Sequence, residues 1–165
     1  MRGTIMKLLI SDFDNTFYQE NCFEKNIEAL HRFLAKGNMF AIATGRSFER
    51  ILPILIEYKI PFDYLITHTG SLILDNNGSV LDEMFIDKNT LEIIKNILIH
   101  SPNIEEWTFS TKNSLTQELV DDILLASIKP KENCLPEFYK EFEFLTNIKV
   151  LMDVSWANII PNYIR

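Results

Sequence analysis

The chain is predicted to be an α/β protein: a partial, doubly wound parallel sheet followed by an inserted α+β unit. Three observations predict it. Short apolar runs alternate with helix-spaced segments through residues 8–67. Each of those runs ends abruptly in polar residues. From about Asp82 the alternation gives way to a mixed pattern of helices and paired strands.

The first apolar run, residues 8–11 behind Lys7, suits a strand buried on both faces, as in a parallel sheet. Ile27, Leu30, Phe33 and Leu34 then share one helical face, and Gly37 reads as the helix C-cap. MFAIA (Met39–Ala43) is the second strand and ends in Thr44-Gly45-Arg46. A helix over 47–58 follows, with Ser47 as N-cap. Pro61 breaks the chain before a third strand, Tyr64–Thr67. Strand, helix, strand, helix, strand implies right-handed crossovers.

The strands 71–74 and 79–83 flank Asp75-Asn76-Asn77-Gly78, a strong hairpin signal. Thr90 is expected to cap a helix through Leu91, Ile94 and Leu98 that ends near Pro102. A strand is expected at 107–109, a helix over 117–128 stopped by Pro130, and a strand pair at 148–154 and 156–160. The domains expected are thus a core at 1–81 and an α+β unit at 82–165. Met6 is read as the initiator, with residues 1–5 a leader without structural meaning.

Hydrophobic residues make up 47% of the 165 and charged residues 24%, enough to build a core. The net charge of −7 disfavours nucleic acid, and any phosphate site must supply its own local positive field. Cys22 and Cys134 stand far apart, without metal-ligand spacing, and read as reduced thiols. No apolar run approaches the ~20 residues that cross a bilayer, so the expected location is cytoplasmic and no membrane partner is expected.

Ligands of open α/β sheets collect beyond the carboxyl ends of the strands. The first strand ends in Asp12, Asp14 and Thr16, the second in Thr44, Gly45 and Arg46, the third in His68, Thr69 and Gly70. Two carboxylates two residues apart repel unless a cation neutralises them. Magnesium suits, because it takes hard oxygen ligands and leaves positions for a substrate phosphate. One carboxylate can then attack phosphorus, while the other protonates the leaving oxygen and later activates water. Thr44 supplies a hydroxyl, and the backbone around Gly45 can face a phosphate oxygen at a helix N-terminus. Taken alone, Asp-x-Asp would favour the plainer reading, an ordinary acidic loop capping the turn after a strand.

LLISDFDNTF resembles motif I of the haloacid dehalogenase (HAD) superfamily, a hydrophobic strand leading into Asp-x-Asp-x-Thr, and IATGRS resembles its motif II. The Gly-Arg that follows and the later LITHTGSLILD resemble the Cof-type sugar-phosphatase branch, which carries a mobile α+β cap after the third strand. The resemblance implies a Rossmann-like core with that cap inserted. It implies Asp12 as nucleophile and metal ligand, and Asp14 as general acid/base and magnesium ligand through its backbone carbonyl. Thr44 and Gly45 would bind phosphate, Thr16 would brace the loop, and Arg46 would hold substrate. The implied substrate is a small phosphate ester, sugar-phosphate-like, and the cofactor is Mg2+.

Asn15 stands where the family more often has Gly, and Thr69 where it has Asn. The family's later lysine and acidic motifs have no counterpart here: the chain stops at WANIIPNYIR, which resembles the last cap strand. The C-terminal part of the core is therefore expected to be absent. That leaves a sheet edge open, with self-association or marginal stability as the expected outcome. A non-catalytic remnant that binds a phosphorylated ligand or a protein partner is the competing reading. A phospho-acceptor signalling domain is set aside, since it wants an acceptor Asp where this chain has Thr67-His68-Thr69. Trp107, Phe109 and Trp156 are expected mainly as core of the inserted unit.

Overall fold

The structure, a computed structural model, describes residues 5–153 and 156–161. Residues 1–4 of the expected leader, and Val154 of the expected 148–154 strand, lie outside the described residues. Strands β1 (Leu8–Asp12), β2 (Met39–Ala43) and β3 (Tyr64–Thr67) pair in parallel in chain order. Helices α1 (Phe23–Leu34) and α2 (Phe48–Glu57) make the crossovers. β4 (Leu72–Asp75) and β5 (Val80–Glu83) then extend the sheet antiparallel, giving the order β1-β2-β3-β4-β5. The hairpin forms where Asp75-Asn76-Asn77-Gly78 predicts it. Asp75 Oδ1 accepts the N–H groups of Asn77 and Ser79, both at 2.8 Å, and Gly78 takes the left-handed φ of 80° that the turn requires. Those bonds, Ser79's first, hold the exposed Asp75 carboxyl below its ordinary pKa.

A second sheet is antiparallel throughout. Its strands are β6 (Ile104–Ser110), β7 (Leu115–Thr116), β8 (Leu125–Pro130), β9 (Ile148–Asp153) and β10 (Trp156–Pro161), in the order β7-β6-β8-β10-β9. Alternation along its strands divides the faces. Phe109, Ala126, Ile128, Ala157 and Ile159 pack with Leu91, Ile94 and Leu98 of α3 (Lys88–His100) and with Phe138 and Phe142 of α4 (Leu135–Phe142). Thr108, Ser127 and Asn158 turn to the other face, toward the first sheet's strand ends. Trp107 and Phe109 join the helix-side core as expected, whereas Trp156 does not.

Three local expectations are corrected, and a fourth holds in position but not in bonding. The segment 117–128 is not a helix: an irregular stretch leads into β8, and Ile123, Leu124, Leu125 and Ala126 are buried consecutively. An apolar run buried on all sides carries no periodicity by which to tell strand from helix. Helix α4 was not expected, although Leu135, Phe138 and Phe142 are spaced to share a face and Pro136 stands in its first turn. Asp87, not Thr90, caps α3: its carboxylate accepts the Thr90 N–H at 3.0 Å and the Thr90 hydroxyl at 2.6 Å. Ser47 stands at the N-cap position of α2, but its Oγ is buried without a partner among the described residues.

β1 stands at the open edge expected of it, but it is not the strand buried on both faces that its apolar run predicts. It is the free edge of its sheet, and Leu8, Leu9 and Ile10 are 51%, 42% and 55% exposed, so neither face is buried. The same residues that read as a central strand therefore stand uncovered.

Candidate active site

The loop leaving β1 is built around two buried rings. Phe13 and Phe17 are sunk in the first sheet's core beside Phe40, and the backbone closes a tight turn by Phe17 N–H to Asp12 O and Tyr18 N–H to Phe13 O, at 3.2 and 2.7 Å. Asn15 sits at φ 57°, a left-handed conformation that glycine and asparagine tolerate best. That is a physical reason for Asn at a position where the resemblance leads one to look for Gly. With Phe13 pointing down, Asp12 and Asp14 on either side of it project from the strand end.

Each carboxylate has a distinct partner. Thr16 Oγ1 donates to Asp12 Oδ2 at 2.9 Å, leaving the other Asp12 oxygen available. Asp14 has both oxygens occupied: Arg46 Nε donates to Oδ2 at 2.8 Å and Nη2 to Oδ1 at 2.7 Å. This is the two-pronged fork that guanidinium and carboxylate form best. The guanidinium also lies 5.8 Å over the Phe13 ring. The Asp14 hydrogen bond raises the Arg46 pKa above its already high ordinary value. Arg46 thus faces Asp14 across the site rather than open solvent.

Thr44 is buried, and its Oγ1 accepts the Arg46 N–H at 3.1 Å. The loop after β2 is tied to the one after β3 by Thr69 N–H to Thr44 O and His68 N–H to Arg46 O. His68 is fully buried. Its Nε2 lies 3.1 Å from the Thr111 carbonyl and so carries the proton, which makes Nδ1 the acceptor for the Thr67 hydroxyl at 3.0 Å. Burial pushes its pKa down to about 4. His68 is accordingly a strut to the second sheet, the ordinary role open to a loop histidine. Thr69 Oγ1 is buried and without a partner among the described residues.

A cleft of about 400 Å³ brings both sheets together. Asp12, Asp14, Asn15, Gly45 and Arg46 form one wall, and Thr108, Ser127, Trp156 and Asn158 the other. Arg50, exposed on α2, completes the rim. Sequence reasoning missed Arg50. Its signal was its place one helical turn beyond Arg46, at the start of the helix that follows the loop after β2. A larger hollow of about 580 Å³, beside Tyr18, Phe23 and Tyr58, holds neither carboxylate of the pair.

Magnesium takes about six oxygens and commonly binds through one or two protein groups, water and substrate phosphate. The Asp12 oxygen without a partner among the described residues and the Asp14 carbonyl are the groups that could hold such an ion. Among the described residues no group of three or more His, Cys, Asp or Glu side chains converges to form a protein cage.

A protein of Mycoplasma capricolum, described as uncharacterized, is 34% identical over 88 residues, which is 49% of this chain and a third of that protein's length. A haloacid dehalogenase-like hydrolase from B. subtilis superposes with a TM-score of 0.82 at 15% identity, over 94% of this chain and 73% of its own. A HAD-superfamily phosphatase from Bacteroides thetaiotaomicron gives 0.77 at 16% identity, over 99% and 70%. A subclass IIB sugar phosphatase gives 0.71 at 15% identity, over 96% and 71%. Identities that low establish the fold alone. The profile of the haloacid dehalogenase-like hydrolases matches residues 9–155, and with that match across nearly the whole chain, the protein belongs to this family.

Proposed function

We propose that the protein is a magnesium-dependent phosphoric monoester hydrolase acting on small, sugar-phosphate-like metabolites through an aspartyl-phosphate. The observation that carries the reading is the cleft itself, with Asp12 and Asp14 on one wall and a polar sheet face opposite. In this scheme an Asp12 oxygen attacks phosphorus and the phosphorus–ester oxygen bond breaks. The leaving oxygen takes a proton from Asp14. Water then attacks the phosphorus of the acyl phosphate, Asp14 takes up its proton, and Asp12 is released. Thr44 and Gly45 receive phosphoryl oxygens, and Arg50 contributes positive charge at the rim. Magnesium, held by Asp12 and the Asp14 carbonyl, supplies charge neutralisation when bound. Because Arg46 occupies both Asp14 oxygens, proton transfer requires that fork to open.

Residues 82–165 act as the cap in this scheme, and the location is cytoplasmic, where the two free thiols stay reduced. No described helix is long and apolar enough to cross a membrane. A second reading, a non-catalytic member of the family that binds a phosphorylated ligand or self-associates through β1, is favoured by the exposed edge at Leu8, Leu9 and Ile10.

The deciding experiment is hydrolysis of para-nitrophenyl phosphate by this chain and by Asp12→Asn, with and without magnesium. Metal-dependent turnover that the substitution abolishes supports the enzyme. A well-folded sample without turnover supports the second reading.

A further inference from the structure

The hollow of about 580 Å³ between Tyr18, the start of α1 and the end of α2 shares no lining residue with the cleft. Three aromatic rings line it: Tyr18, Phe23 and Tyr58. Phe23 meets both tyrosines in T-shaped contacts, at 4.6 Å and 78° to Tyr18 and at 5.0 Å and 76° to Tyr58. The two tyrosines are inclined at 58° with centroids 6.3 Å apart. Tyr58 nonetheless stays 40% exposed and Tyr18 half-buried, so ring surface remains for a ligand. Aromatic faces are negative and attract a cation. Lys25 also lines the hollow, but among the described residues the close cation–π contact is that of Arg46 over Phe13.

The charge around the rings has the same sign. Glu20 and Glu24 are exposed and line the hollow against the single Lys25. Glu24, in the first turn of α1, also offsets the positive end of that helix. The neighbouring Glu57 carboxylate is the chief reason that the Tyr58 pKa stands above its ordinary value. A small metal ion would want several converging oxygens, and among the described residues no group of three or more His, Cys, Asp or Glu converges. A purely apolar ligand would cover the carboxylates without pairing them. A bulky, weakly hydrated organic cation satisfies both the rings and the acids.

We propose that this hollow binds a small quaternary ammonium compound, its alkylated nitrogen set against Tyr18, Phe23 and Tyr58 and its charge balanced by Glu20 and Glu24. The volume is that of a small-molecule site, which assigns the group to a free metabolite. The site is independent of the phosphate chemistry but not remote from it. Tyr18 stacks on Phe13 at 5.5 Å and 7° and bonds its carbonyl, so an occupied hollow abuts the loop that carries Asp12 and Asp14.

Isothermal titration tests it with choline and with neohexyl alcohol, the uncharged isostere in which carbon replaces nitrogen. The wild-type chain is expected to bind choline about tenfold more tightly than the alcohol. Tyr58→Leu should weaken choline about fivefold and leave the alcohol nearly unchanged. Glu20→Gln combined with Glu24→Gln, both on exposed residues, should also weaken choline alone, and it serves as the test if Tyr58→Leu does not fold. Equal binding of the two probes overturns the proposal, since apolar filling would then suffice. Wild-type protein that binds no choline overturns it, as does an unchanged choline affinity in either folded variant. Retention on phosphatidylcholine vesicles, which present the same group at a surface, overturns the assignment to a free metabolite.

Discussion

Asp14 and Arg46 meet through two short hydrogen bonds at a site where their side chains remain 40% and 33% exposed. A pair that wet contributes little to folding, so Arg46→Lys should move the urea midpoint hardly at all. A lysine ammonium cannot reproduce the fork, however, and Asp14 loses its fixed orientation. We expect kcat/KM for para-nitrophenyl phosphate to fall about tenfold, measured beside the unchanged midpoint. His68 gives the opposite case, large for stability. Its ordinary pKa of 6.5 falls to about 4 in the fold, so between those values the unfolded chain binds a proton that the native one refuses. Stability is therefore full above pH ~6.5 and erodes as pH drops toward ~4, by about 3 kcal/mol in total. Urea unfolding at pH 7 and pH 4.5 should show this loss, and His68→Gln should flatten it. The acids, Thr44, Gly45 and Arg46 were legible as a group, because strand ends and turn residues announce themselves locally. That Arg46 would grip Asp14, 32 residues away, was not, since it depends on how two loops meet.

Among the elements, α3 has its side-chain cap in Asp87, whose carboxyl is held below its ordinary range chiefly by the Thr90 hydroxyl. Asp87→Ala should cost about 1 kcal/mol at neutral pH, and less as acid protonates the wild-type carboxyl through its lowered pKa. Chemical denaturation at pH 7 and pH 3 checks both halves. β1 presents a different liability. Ile10→Lys replaces a residue already 55% exposed and should change stability by less than about 0.5 kcal/mol. It should also shift the protein toward monomer in light scattering if the edge mediates association. Strand β1, its crossover helix and the Asp75–Gly78 hairpin could be read directly, because periodicity and turn chemistry are local properties. The burial of β1 could not, for a sequence records that a strand is apolar and not what lies beside it. The same limit explains 117–128, where consecutive burial from Ile123 to Ala126 erased the period that separates strand from helix.

At the scale of the molecule, the two sheets are joined by more than their connecting chain. Leu124, in the segment leading to β8, is buried in the aromatic core of the first sheet. His68, after β3, reaches the Thr111 carbonyl beyond β6. Leu124→Ala should therefore cost about 3 kcal/mol. In wild type, far-UV circular dichroism and tryptophan fluorescence should report one midpoint, although Trp107 and Trp156 both lie in the second sheet. Separated midpoints would mean that these links are too weak to couple the halves. The strand orders carry a further consequence, for the way the chain acquires its shape. In the first sheet every strand lies next to its predecessor, so a chain leaving the ribosome can add each strand to a template already in place. In the second, β10 must enter between β8 and β9, and that register cannot close until β10 has been synthesised. The wall bearing Asn158 thus comes into being after the wall bearing Asp12 and Asp14, and during synthesis the acids stand ready before the surface that faces them.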